Sequence, residues 1–277
     1  MKKLFLLLSI GLIIISCSSE ENEIAENQTS KLIELEQRQF ENGILTEKII
    51  FKYNNNRPTL ASFYDENNQL TYTSEWNYSN NNYLSYIKGY LPNGTLNSET
   101  NITYDNSNRI TQTQTERTEG NGTYLTTTNF IHNSDNTINS DTNSNGNTSI
   151  KTFEVNNNGI IDKEIINGDV RVSVEYNNLS PITSTSFSST YNYTYQENGS
   201  LPFSFENIFG TIRINAVLFQ NSLADSIGSL TTELVTGITS GSSSEEYVYT
   251  LNEDNFPLTK KDYYNGELTN EFDYTYE

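Results

Sequence analysis

Residues 101–114 read NITYDNSNRITQTQ, and Tyr104 and Asp105 within them suit either a chemical site or a turn in a repeated scaffold. Spacing decides between the two. A tyrosine, five polar or turn-forming residues and then an aliphatic residue recur as Tyr64/Leu70, Tyr78/Leu84, Tyr90/Leu96 and Tyr104/Ile110. Related copies follow at Val155/Ile161, Tyr176/Ile182 and Tyr195/Leu201. The first four tyrosines stand 14, 12 and 14 residues apart, and such a spacing marks a structural unit repeated along the chain. The repeat predicts that Tyr64 and Tyr104 occupy equivalent places and that Asp65 and Asp105 shape turns.

Each unit alternates as a strand does. From Leu70 the even positions are Leu70, Tyr72, Ser74, Trp76 and Tyr78, whereas the odd ones are Thr71, Thr73, Glu75 and Asn77. Successive strand side chains point to opposite faces, so one face is aromatic and the other polar. Pairs of apolar residues two apart precede the turns at Phe51/Tyr53, Ile102/Tyr104, Val174/Tyr176, Tyr247/Tyr249 and Phe272/Tyr274. Eight of the fourteen glycines beyond residue 16 follow asparagine, as in Asn167-Gly168 and Asn265-Gly266. Asn-Gly accepts the positive φ angles of tight hairpins, so neighbouring strands are antiparallel. The expected fold is all-β: an antiparallel meander of hairpin repeats forming one large twisted sheet or an open barrel or sandwich. Residues 203–239 break the pattern. They are apolar, and Phe219, Leu223, Ile227 and Leu230 have helical spacing. A short helical insertion there is expected to cover the aromatic face, with the serine-rich SGSSSEE (240–246) as a loop.

The copies YDENNQL (64–70) and YDNSNRI (104–110) resemble the YD repeat of Rhs-type bacterial surface and toxin-shell proteins. YLPNGTL (90–96) and YQENGSL (195–201) keep the shape without the aspartate. The resemblance runs loosely over 44–205 and returns at 247–277. It implies a scaffold. The units are too few for a toxin-enclosing shell and are more similar to surface lipoproteins of Gram-negative bacteria that carry a handful of them.

The amino terminus carries the second signal. Lys2 and Lys3 precede an apolar run from Leu4 to Ile15, short for a membrane span and of the length of an export signal. Ile14-Ile15-Ser16-Cys17 resembles the lipobox of bacterial lipoproteins, which implies removal of residues 1–16 and acylation of Cys17 by palmitate and related chains. Cys17 is the only cysteine, so no disulfide competes for it. Residues 17–30 form a polar, acidic tether, and 31–277 a single β-repeat domain with a non-repeat segment at 203–246. Ser18-Ser19-Glu20-Glu21 resembles the export signal that sends lipoproteins of gliding and gut-dwelling Gram-negative bacteria to the cell exterior. The expected location is the outer membrane, lipid-anchored and facing outward.

Without Lys2 and Lys3 the chain carries 14 basic against 35 acidic residues, a net charge near −21. Nucleic acid and anionic lipid are poor partners for such a chain, since both need lysine and arginine to replace counterions. Chemistry is sparsely supplied. The single histidine, His132, lies in the polar run IHNSDNTINS and reads as an exposed turn residue rather than a triad member. Thirty-five acids would supply a glycosidase pair, but no spacing singles one out. Asp141, Asn143 and Asn145 before Gly146 resemble the opening of a calcium loop; its twelfth position is Thr152, where a carboxylate is required. Asp225-Ser226-Ile227 resembles an O-glycosylation site of the same bacteria, with Ser226 as acceptor. Tyr83, Tyr124 and Tyr263 fall outside the alternation and are the candidates to stack on sugar. The expected role is a surface protein that is structural or binds an unidentified protein or glycan, with no catalysis and no cofactor; a glycan-binding module and a glycosidase are the alternatives.

Overall fold

The computed structural model describes residues 30–79, 83–120, 122–178, 180–202, 206–209, 214–226, 231 and 233–277. The strands are β1 (Leu32–Glu41), β2 (Ile44–Asn54), β3 (Arg57–Asp65), β4 (Leu70–Tyr78), β5 (Leu84–Tyr90), β6 (Leu96–Tyr104), β7 (Ile110–Glu119), β8 (Gly122–His132) and β9 (Thr137–Ser144). They continue as β10 (Asn147–Val155), β11 (Ile161–Ile166), β12 (Asp169–Asn177), β13 (Ser180–Ser186), β14 (Ser189–Ser200), β15 (Glu233–Ser240), β16 (Ser243–Leu251), β17 (Pro257–Tyr264) and β18 (Glu267–Tyr276). Between β14 and β15 the described residues form three short helices, α1 (Glu206–Phe209), α2 (Ile214–Gln220) and α3 (Leu223–Ser226).

Every strand pairs antiparallel with the next in sequence, and β1 pairs with β18 from Leu32↔Tyr276 to Gln39↔Asn270. The meander is a closed barrel with no free edge, which removes the template for edge-to-edge association. Lys31 and Glu277 bond reciprocally through their backbones at 3.1 and 3.0 Å, so the first and last described strands meet there at one end of the barrel. We call this end proximal. The helical segment also enters here. The distal end carries the hairpins β1–β2, β3–β4 and so on to β17–β18, several closed by Asn-Gly with both residues at positive φ, as at Asn42-Gly43 and Asn167-Gly168.

Alternation sorts the side chains by wall. Ile49, Phe51, Phe63, Trp76, Ile102, Phe130, Ile138, Phe153, Val172, Val174, Phe272 and Tyr274 point inward and are buried in one core. The outward parity carries charge at mid-strand. Arg38 on β1 pairs with Asp273 and, at 3.4 Å, with Glu271 on β18, and Glu271 meets Lys261 of β17 at 2.9 Å. Lys52 pairs with Glu34, Lys163 with Glu154 at 2.5 Å, and Lys88 with Glu99 at 3.7 Å. A lipid-facing barrel needs an outward apolar band; here charged pairs interrupt it, with Ile131, Ile150, Ile182, Val248 and Leu258 exposed singly among them, and the buried apolar core is inside.

The helices fill the proximal interior. Ile214, Asn215, Ala216, Val217 and Leu218 are consecutive and all buried. A helix buried on every side is enclosed rather than laid on a surface. The insertion expected as a cover is therefore an internal plug. Leu223 begins α3, while Ile227 and Leu230 lie outside the described residues. Two boundaries shift. Ser243 already pairs with Ser240, so most of SGSSSEE is strand, and β15 occupies 233–240 inside the segment expected to lack repeats.

Tyr64 and Tyr104 are not equivalent. Tyr104 ends β6 at the proximal end, points inward, and donates to the Leu84 carbonyl at 2.7 Å. Tyr64 is the last residue but one of β3 at the distal end, faces outward, and lies under the Lys48 ammonium at 4.7 Å. Tyr78 is inward like Tyr104, and Tyr90, bonded to outward Glu75, resembles Tyr64. The register shift between Phe63 and Tyr64, which leaves Thr71 as an extra residue, flips the parity along β4, so the repeating unit is the two-strand hairpin.

Candidate functional site

The proximal tyrosines form a ring. Tyr78 donates to Pro58, Tyr104 to Leu84, Tyr176 to Ile161, Tyr195 to Pro181, Tyr249 to Val235 and Tyr276 to Pro257, at 2.5 to 3.0 Å. Each hydroxyl crosses to a carbonyl at the start of the preceding strand. Burial pushes all six phenols above their ordinary pKa, so they are neutral donors, not bases. His132, the last residue of β8, holds the tyrosine place in its hairpin. Its Nε2 lies 2.8 Å from the Ile110 carbonyl. It is half-buried rather than exposed, and burial, helped by Arg109 and opposed by the Ile110 bond and Asp105, lowers its pKa. The spacing His132/Ile138 matches Tyr104/Ile110, a signal that a search for tyrosine alone passes over.

Asp105 is a turn residue. Its Oδ1 accepts from the backbone of Ser107 at 2.8 Å and Arg109 at 2.9 Å, and its Oδ2 from Arg109 Nε at 2.8 Å. Burial raises its pKa, and the donors from Arg109 and Ser107 outweigh that to hold it below the usual carboxylate value. Asp65 makes the same turn with Asn67 at 2.9 Å and Gln69 at 2.8 Å, and Asn156 and Asn252 repeat it. Asn108 and Asn68 complete these turns at φ 59° and 60°.

Polar groups latch the plug to β7–β11. The Asn215 amide accepts from Ile110 N at 2.8 Å and donates to Asn108 O at 2.8 Å. Asn221 accepts from Ser140 Oγ at 2.7 Å and donates to Thr142 at 2.9 Å. Lys151 reaches the Asn221 carbonyl at 2.5 Å and pairs with Glu164 at 3.1 Å, while Glu164 accepts from Leu223 N at 2.8 Å. The interior beyond the plug is polar. Hydroxyls pair across strands: Thr100 with Thr115, Thr126 with Ser144, Thr128 with Thr142, and Ser184 with Tyr193. Tyr72 lies across Gly89, where a Cβ would stand 1.5 Å from its hydroxyl, and reaches Ser98 at 2.7 Å. On β17, Lys260 and Asp262 are both buried and 2.9 Å apart, with the ammonium over the rings of Tyr247 (4.4 Å) and Phe272 (4.7 Å). Burial raises the Asp262 carboxyl and Lys260 pulls it back.

The expected ligand residues fall elsewhere. Asp141 and Asn143 lie on the extended strand β9, facing outward. Asn143 accepts from Gly146 N at 3.0 Å, and Asn145, in the hairpin, from Leu125 N at 3.0 Å. Residues two apart on a strand are separated by about 6.8 Å, so these oxygens line a ladder and do not wrap an ion; among the described residues no three acidic, histidine or cysteine groups cluster. Ser226 is buried and donates to Ser222 O at 2.7 Å, which leaves a sugar no access in the folded chain. Tyr83 packs on Tyr104 with centroids 5.5 Å apart. Tyr124 is exposed at the distal rim, and Tyr263 is partly exposed on the outer wall. Cys17 and Ser18-Ser19-Glu20-Glu21 lie outside the described residues.

No protein-family model and no curated protein matches this sequence. Among solved structures the chain is similar to a porin-like protein from Bacteroides uniformis, with 14% identity over 89% of this chain and 98% of that one and a TM-score of 0.41. It is also similar to part of the Tc holotoxin pore of Photorhabdus luminescens, with 8% identity over 80% of this chain and 16% of that one and a TM-score of 0.18.

Proposed function

We propose that the protein is a YD-repeat surface lipoprotein: a non-catalytic binding module held on the outer membrane by acyl chains on Cys17 and displayed to the exterior. The observation that carries this reading is the inversion of the barrel, with charge on its outer wall and an aromatic, plugged interior. Such a wall belongs in water, so a membrane protein built this way needs a separate anchor. Lys31 lies at the proximal end beside Glu277, so a tether of residues 17–30 would hang the barrel with its distal end away from the bilayer. Two or more acyl chains hold a protein on a bilayer far better than one. The interior polar groups favour scaffold over catalysis: Lys151, Glu164, Asn215 and Asn221 are committed to the plug, and Lys260 and Asp262 to each other. The binding partner is a protein or a glycan. The test is fractionation with labelled palmitate. The wild type takes up label and stays with the outer membrane, whereas Cys17→Ala loses both. Protease added to intact cells cleaves the wild type, and Glu20→Ala with Glu21→Ala protects it. Equal labelling of wild type and Cys17→Ala contradicts the lipoprotein reading.

A further inference from the structure

Exposed large apolar side chains gather at one end of the barrel. Among the described residues fourteen are exposed, and nine of them, Ile44, Leu70, Leu91, Leu96, Tyr124, Leu125, Val170, Phe187 and Tyr264, lie on or beside distal hairpins. Phe187, 75% exposed at the tip of β13–β14, holds φ 54°, a conformation glycine or asparagine would adopt at less cost. Single exposed apolar residues need no explanation, but seven of the nine distal hairpins carry one or two, so these side chains follow the rim rather than scatter over the wall. The same hairpins are acidic. Glu41, Glu66, Glu119, Asp169 and Glu267 are exposed there. The two arginines beside them are already paired, Arg117 with Glu119 at 2.6 Å and Arg171 with Asp169 at 4.0 Å.

We propose that this distal crown is the docking face for a cationic amphipathic segment of a partner protein. Charge chooses the occupant. A second copy of this chain, an anionic membrane and a nucleic acid would each bring negative charge to an acidic rim. A glycan would use the exposed aromatics and gain nothing from the acids. A segment with basic and apolar residues satisfies both features. Tight Asn-Gly turns fix the rim in advance, so little ordering opposes binding. The inference rests on the binding role proposed above, not on lipid attachment.

The test is fluorescence anisotropy with a labelled amphipathic leucine–lysine peptide and the purified full chain in nonionic detergent. Replacing Glu41, Glu66 and Glu267 together by Lys is expected to weaken binding about tenfold or more, a loss of about 1.4 kcal/mol or more. Phe187→Ser with Tyr264→Ser is expected to weaken it at unchanged charge. The proximal triple Asp135→Lys, Glu253→Lys and Glu277→Lys changes net charge equally and is expected to retain affinity. Equal loss in the proximal and distal triples would reduce the effect to net charge and overturn the inference. Binding of a polysaccharide at the crown, with no affinity for the peptide, would also overturn it and leave the binding role standing.

Discussion

The two ends of the barrel are built from the same hairpins and differ in what they do with apolar side chains. At the proximal end Phe153, Ile110, Leu84 and Ile161 are buried around the plug, and a ring of phenols satisfies the carbonyls at the strand starts. At the distal end Val170, Tyr124 and Phe187 stand in solvent, and the interior is lined by paired hydroxyls. A barrel of eighteen strands encloses more volume than its own inward side chains fill. One insertion can close one end only. The proximal end is therefore the stability element, and the distal end is free to vary without loss of the fold.

This contrast is broken most easily at the core. Phe153→Ala is expected to cost about 3 to 5 kcal/mol, as for other fully buried aromatics, whereas Phe187→Ala at the rim should cost no more than about 1 kcal/mol, the order of its cation–π contact with Arg171. Thermal or denaturant melts of the pair decide it, and equal costs would erase the distinction between ends. Next in size is the latch. Lys151→Met strands the buried Glu164 and is expected to cost about 3 to 5 kcal/mol, with much of it recovered in the double variant Lys151→Met/Glu164→Leu. A double-mutant cycle without recovery would contradict the pairing.

The tyrosines sharpen the comparison further. Tyr104→Ala removes an inward ring and its bond to Leu84, and should cost roughly 3 kcal/mol. Tyr64→Ala loses an outward ring and one cation–π contact worth about 0.5 to 1 kcal/mol. The aspartates after them should behave alike, each costing about 1 kcal/mol on replacement by Ala, because both bond the same turn amides. Matching melts for the two tyrosine variants would restore the single-repeat view.

The smallest effect is in the pH response. The His132 pKa is lowered in the folded state from 6.5, so the unfolded chain takes up its proton first as pH falls. His132 thus favours folding fully above pH 6.5 and progressively less below it, until the folded-state pKa is passed. His132→Tyr restores the ring donor and is expected to remove that part of the melting-temperature decline between neutral and mildly acid pH. An identical decline in both proteins would mean that His132 does not titrate differently on folding.

Strands and turns were legible because both are written locally. Alternation along 70–78 and asparagine followed by glycine at 167–168 each dictate geometry within a few residues. The aromatic face and the apolar insertion were legible as partners for the same reason. Closure was not, since the pairing of Leu32 with Tyr276 depends on twist accumulated over every strand between them. The inequivalence of Tyr64 and Tyr104 was hidden by an even spacing that the bulges at Phe63/Tyr64 and Thr103/Tyr104 interrupt. The resemblance of Asp141-x-Asn143-x-Asn145-Gly146 to a calcium loop did not reveal the hairpin, because acidic and amide oxygens before a glycine are common to both. Ser226 looked available because three residues carry no record of burial.

The inversion of the barrel is tested most directly by cysteine mapping in a Cys17→Ala background, which has no native thiol. Single cysteines replace outward Ser62, Thr127 and Ser173 and inward Ser74, Ser140 and Ser184, and each folded protein is treated with a water-soluble maleimide and with nitroxide-bearing lipid vesicles. The expected result is rapid labelling at the three outward positions, slow labelling at the inward ones, and no quenching by lipid at any of them. Outward positions that react slowly with the maleimide, or whose fluorescent label once attached is quenched by lipid, would contradict the account, because the charged wall would then be the one facing the membrane.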